Sequence, residues 1–381
     1  MPIFDQGYQH WSGELSGHGW RWLAIARHGY RIGMKNYLLR IIMLVAWIPA
    51  IALGFMLCLW GLVERKSELV MPLVAMLDMF DPEVIANPKE YRAEIWTLCY
   101  DTFLLMELRF SMILVLIVGP SLISQDLRFN ALPLYFSRPL RRIDYFMGKL
   151  GVIGAFLGMV LIIPSIVAYV LGLLFSLDLS IIPDTLPLLA ASVGYGIVMT
   201  LSTGLFILAL SSLTRNSRYI ALFWLAVWFI SSVVGGVLAS VDQEHRRHAA
   251  YRRSAEISVA QPNANRPPAD RQREQAAHMA DTRQMRQQEW LAEEQQAAKS
   301  NWRPMVSYTA NLSRIGQAML NTDAAWRKLS LNKPAEERDR FLLENLGSQY
   351  PWYWSAAVIL GLMGLSACIL NFRIKSLDRL K

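Results

Sequence analysis

"SMILVLIVGPSLISQDLRFNALPLYFSRPLRRIDYFMGKLGVIGAFLGMVLIIPS", residues 111–165, decides the fold. Two long apolar runs flank a centre that carries Asp126, Arg128, Arg138, Arg141, Arg142, Asp144 and Lys149. The apolar residues come in blocks rather than with helix or strand period, as in segments surrounded by hydrocarbon. A charged segment between two such blocks reads as an aqueous connection between two membrane spans.

The same block pattern recurs along the chain, at about 41–63, 103–123, 150–176, 186–213, 219–241 and 353–372. Each run is near the roughly 20 apolar residues that one crossing needs. Each is expected to be a helix, because a lone span in lipid must satisfy its own backbone polar groups. The 54% hydrophobic content and mean hydropathy of +0.26 agree, and the 13 Trp and 14 Tyr suit membrane–water interfaces. The net charge of +8 does not indicate nucleic acid here, since no aromatic-rich RNA-binding strand pattern or zinc spacing accompanies it. Cys58, Cys99 and Cys368 form neither a disulfide framework nor a metal set. The first twenty residues lack the basic start and apolar core of a cleaved signal peptide, so the first span is expected to direct insertion.

Lys and Arg set the expected orientation. Arg21, Arg27, Arg31, Lys35 and Arg40 precede span one, and Arg128, Arg138, Arg141, Arg142 and Lys149 lie between spans two and three. Arg215 and Arg218 lie between spans four and five, and Arg373, Lys375, Arg379 and Lys381 follow span six. The other short loops hold only Arg65, Lys66, Lys89 and Arg92, beside many acids. The positive-inside rule therefore places both termini in the cytoplasm. Residues 242–350 fall outside; a segment this long is not counted by the rule. From Pro268 to Ser300 it is rich in Ala, Gln, Glu, Arg and Met, which reads as a long solvated helix or a disordered polar linker. The following "PMVSYTANLSRIGQAML" is more apolar, and lies on the membrane surface or dips into it.

Ahead of span one, "WRWLAIARHGYRIGMKNYLLR" (20–40) reads as an amphipathic helix. Its basic face holds Arg21, Arg27, Arg31 and Lys35; Trp22, Ile25, Gly29, Ile32 and Gly33 share another, expected on the inner leaflet. The fold expected is thus an all-α polytopic membrane protein. It has a cytoplasmic N-terminus with an interfacial helix (1–40), spans one to five (41–241), an external, polar, largely helical segment (242–350), and span six with a basic tail (351–381).

Glu107 and Arg109 fall inside span two. Two readings stand: groups near an aqueous interface or paired with each other or a neighbouring helix, and an intramembrane functional pair. Gly154 and Gly158, with Gly151 and Ala155, have the small-xxx-small spacing of close helix packing, and Pro49 and Pro164 are expected to kink spans one and three. The sequence carries no GxxxxGK[ST] loop, no HExxH and no GxSxG, so neither ATP binding nor catalysis is expected in this chain.

The segment 124–149 invites a sharper reading. Ser124 or Ser137 can cap a helix and Pro139 suits a first turn. Leu132, Leu134, Tyr135 and Phe136 add apolar surface. Asp126, Arg128, Leu132, Leu134, Ser137, Arg138, Pro139, Arg142, Asp144, Tyr145, Gly148 and Lys149 together resemble a motif of the type-two permeases of ATP-binding-cassette (ABC) exporters. The layout of spans and the basic tail are similar too. The resemblance implies a permease subunit in the inner (plasma) membrane, with 124–149 as a coupling segment. Asp126, Arg128, Ser137, Arg138, Pro139, Arg142, Asp144 and Lys149 would then dock a separate ATP-hydrolysing subunit that carries ATP and Mg. A second permease copy or relative would complete the transporter. The outer segment 242–350 is larger and more polar than the resemblance implies, and is expected to meet an external partner or a polymeric substrate. The rivals are a non-transporting scaffold that binds lipid or a cytosolic partner, and a membrane enzyme using Glu107 with Arg109.

Overall fold

The computed structural model describes residues 20–68, 82–136, 140–176, 180–257, 296–346 and 350–378. These residues are helical with short connections, and no strand occurs among them. Helix α1 is Arg21–Gly33, α2 is Tyr37–Glu64, α3 is Pro82–Ala86, α4 is Arg92–Val118 and α5 is Ser121–Arg128. Helices α6 (Leu132–Phe136), α7 (Arg142–Leu157), α8 (Ile163–Ser176) and α9 (Ile181–Leu213) follow. The chain continues through α10 (Ser217–Leu225), α11 (Ser231–Ile257), α12 (Tyr308–Leu320), α13 (Thr322–Ser330), α14 (Ala335–Asn345) and α15 (Trp352–Asp378).

Among the described residues, six helical stretches are long and apolar enough to cross a membrane: Tyr37–Glu64, Arg92–Arg128, Arg142–Ser176, Ile181–Leu213, Ser217–Asp242 and Trp352–Arg373. They coincide with the six expected spans and make this a multi-pass membrane protein. Span four, α9, is the hub: it packs against α4, α5, α7, α8, α12 and α15.

Local chemistry explains where the helices start, shift and break. Asn36 caps α2 by accepting the Leu38 N–H, and Asn216 caps α10 through the Arg218 N–H. Pro164 has no N–H and its ring crowds the carbonyl one turn back; the ladder opens there into a π turn at Gly158–Ile162. In span two the helix breaks at Gly119–Pro120. Ser211 of α9 heals the break: its hydroxyl accepts the N–H groups of Ile123 and Ser124 and donates to the Pro120 carbonyl. Span two thus consists of a long shaft, α4, and a short arm, α5, hinged against span four.

Helix α1 lies against α7. A Cβ on Gly148 would come 2.6 Å from Ile25, and one on Gly151 3.0 Å from Ala26, while Gly29 meets Val152. The Trp22–Ile25–Gly29–Gly33 side is therefore turned onto protein rather than lipid. Arg27, Arg31 and Lys35 remain exposed, joined on the outward side by Trp20, Leu23 and Ile32, whereas Arg21 is half-buried. The close approach in span three occurs at Gly148 and Gly151, not at the expected Gly154 and Gly158. Gly154 makes ordinary contact with Thr200, and Gly158 faces open space.

The stretch expected as an external polar segment divides. Most of its first part, 258–295, lies outside the described residues, and with it nearly all of the expected helix from Pro268. The second part is a cap built into one end of the bundle. Helix α12 packs on α4, α9 and α15, with Tyr308 against Trp224 and Phe206 at ring separations of 6.0 and 5.8 Å. The Tyr308 hydroxyl pairs with Ser202, and burial pushes its phenol well above the usual tyrosine range. "YTANLSRIGQAML" thus dips between the spans rather than lying on the surface.

Candidate functional site

At the end of the bundle opposite the cap, spans two and three are joined through 129–141. Helix α5 stops in a left-handed turn at Asn130, a residue that tolerates positive φ, with the Ala131 N–H closing back on the Asp126 carbonyl. Asp126 faces span three: its carboxylate lies 2.6 Å from Lys149 Nζ and accepts a 2.7 Å hydrogen bond from the Tyr145 hydroxyl. Lys149 also sits over the Tyr145 ring. Leu132 and Tyr145, both buried, form a small separate core with Leu127, Tyr135, Leu140 and Phe146 around them. Burial, and then the Asp126 charge, raise the Tyr135 phenol above its ordinary value.

This geometry sorts the expected docking residues into two groups. Asp126 and Lys149 face inward and hold the segment in place, and Asp144 accepts the Arg141 N–H at the start of α7. Arg128 and Arg141 are exposed, and Arg142 is half-buried. Ser137, Arg138 and Pro139 lie outside the described residues. Ser124 caps nothing: it lies inside α5, its hydroxyl bonded to the Pro120 carbonyl.

Glu107 and Arg109 are not brought together. Two residues apart on one helix, they point to opposite sides. Glu107 is fully buried, and neither of its oxygens has a hydrogen-bond partner among the described residues; Ser111, one turn on, is equally buried and equally unpartnered. Arg109 is exposed on the outer side of span two.

The capped end holds ionic contacts that sequence reasoning missed. Arg92 and Glu64 meet through two parallel 2.7 Å hydrogen bonds, each side chain only 3% exposed. Ser176 and Ser180 complete the cluster, so it joins the ends of spans one to four. In the cap, Arg314 grips Asp323 through both terminal nitrogens and donates to the Tyr350 carbonyl. Lys328 reaches down to Glu94 and the Glu90 carbonyl. The only sequence signal for the Glu64–Arg92 pair was an acid and a base at the ends of consecutive apolar runs.

No family model matches this chain, and no curated protein matches it.

Proposed function

We propose that this protein is the permease subunit of an ABC transporter, an exporter, with both termini in the cytoplasm of the cell that holds it in its inner (plasma) membrane. The observation that carries the reading is the Asp126–Lys149–Tyr145 cluster. It fastens the hinged arm of span two to the first turns of span three, so a load applied to 129–141 is passed to both spans at once. A soluble motor needs such a junction, because a floppy loop would absorb its stroke. This chain binds no nucleotide of its own in this reading; ATP and Mg belong to a docked ATPase subunit.

A second copy or relative would complete the transporter. Spans five and six bury far less of their apolar windows (17% and 22%) than spans one to four (39–56%), which leaves helix faces for a neighbour or for lipid. The cap would close the far side.

The test is co-purification of the tagged chain from mild detergent. An ATPase subunit is expected to come with it, and Arg138→Glu with Arg142→Glu is expected to release that subunit while leaving insertion intact. An unchanged complex in that variant, or a lipid or structural partner in place of an ATPase, would return the segment to a basic surface loop and favour the scaffold.

A further inference from the structure

A second feature of the basic end shares only Arg128 with the segment proposed to dock the ATPase. Between the arm of span two and the turn linking spans four and five lies a cleft of about 360 Å³, lined by Arg128, Arg215, Asn216, Ser217 and Arg218. Its volume is at the small end of ligand clefts. Arg128, Arg215 and Arg218 line it from two separate elements, Arg128 with its guanidinium over the Phe129 ring, and no acid among the described residues pairs with any of them. The nearest acid in sequence, Asp126, is already engaged by Lys149 and Tyr145. Asn216 accepts the Arg218 N–H through its side-chain oxygen, which leaves its amide NH2 as a donor beside the Ser217 hydroxyl and the arginines.

We propose that this cleft binds a phosphate-bearing anion. Guanidinium forks match phosphate oxygens two at a time, and three of them around one small space suit an anion with several acceptor oxygens. Position favours a phospholipid headgroup as the source. The cleft sits at helix ends, and Leu213, Tyr219 and Leu222 beside it are exposed apolar side chains along which acyl chains would run. Arg373 of span six bonds the Leu213 carbonyl, two residues before the first arginine of the linker. Occupancy would tie the arm of span two to spans four and five through the lipid, whether or not the chain transports anything.

The experiment uses the full chain in nanodiscs of phosphatidylcholine. Bound lipid is read by native mass spectrometry and thermal stability by scanning fluorescence, with phosphatidylglycerol added in one arm and inorganic phosphate, against chloride at matched ionic strength, in the other. Arg215→Gln with Arg218→Gln is compared with Arg27→Gln with Arg31→Gln, which removes the same charge from the same end of the molecule. The expected result is retained phosphatidylglycerol in the parent, weakened about tenfold or more by the cleft variant and less than about twofold by the control. Protection by inorganic phosphate, lost in the same variant, would keep the site and assign it to a soluble phosphate compound. Equal weakening in both variants would reduce the effect to general surface charge and overturn the proposal. So would the absence of binding in both arms, or an acidic protein held through these arginines in place of either anion.

Discussion

Two carboxylates buried among the described residues, Glu64 and Glu107, are treated in opposite ways. Glu64, at the capped end, meets Arg92 through two short bonds and accepts a third from Ser176. Glu107, deeper in span two, is buried as completely and has no partner among the described residues. Taking a charge out of water costs several kcal/mol unless a partner and hydrogen bonds offset it. The first site is built so that the cost is met inside the fold. The second leaves an ionisable group where only hydrocarbon would serve stability. Structure is the physical reason for the one, and the other marks Glu107 as the position at which to test for a functional role.

The sharpest way to break that contrast is at Arg92. Arg92→Met leaves Glu64 buried without its partner, and a loss of about 3–5 kcal/mol in unfolding stability is expected. Thermal or chemical unfolding in detergent micelles measures it. Adding Glu64→Gln should recover most of the loss, since the pair would then be absent rather than broken. A single variant as stable as the parent would show that the four span ends are held by packing alone.

A milder case lies between the two. Asp126 is about one-sixth exposed and has two partners, Lys149 and Tyr145. Tyr145→Phe removes one neutral donor from a charged acceptor, and about 1–2 kcal/mol is expected. In the transporter reading, the same change would loosen the join between spans two and three. ATP hydrolysis by the purified complex should then persist while its stimulation by substrate falls. A fall in both together would make Tyr145 a folding residue only.

How much of this was legible beforehand follows from what each feature depends on. The six spans were readable because an all-round apolar block needs no partner to identify it. The amphipathic helix α1 was readable in its periodicity, but not in its destination. Trp22 and Ile25 look the same whether they face lipid or the glycines at 148 and 151. The small-xxx-small pattern likewise recurs at 151–155 and 154–158, and spacing does not say which side of span three meets a neighbour. The cap was legible only as an apolar stretch that lies on the membrane or dips into it, because its polar residues have partners far off in sequence: Arg314 needs the Tyr350 carbonyl, and Asn332 pairs with Tyr91. Those pairings exist only once the chain has folded. At the candidate site, the residue types at 126–149 were visible in the sequence. The division between Asp126 and Lys149 turned inward and Arg128 and Arg141 turned outward was not, since it depends on the arm of span two swinging against Ser211.

Glu107 gives the smallest stability effect and the most telling one. Replacing a buried, unpaired carboxyl by an amide of equal size removes no hydrogen bond seen among the described residues, so Glu107→Gln should change unfolding stability by less than about 1 kcal/mol. Glu107→Leu should be neutral or stabilising, because a hydrophobic side chain suits an apolar niche better than a polar one. If the transporter reading holds and the group is retained for function, both variants should insert, pair with an ATPase subunit and lose transport in reconstituted vesicles. The amide would keep part of the activity only if hydrogen bonding, rather than a movable proton, is what the site uses. A stability loss comparable to that of Arg92→Met would instead put Glu107 in the same class as Glu64, a carboxylate held for the fold. That outcome would erase the contrast between the two.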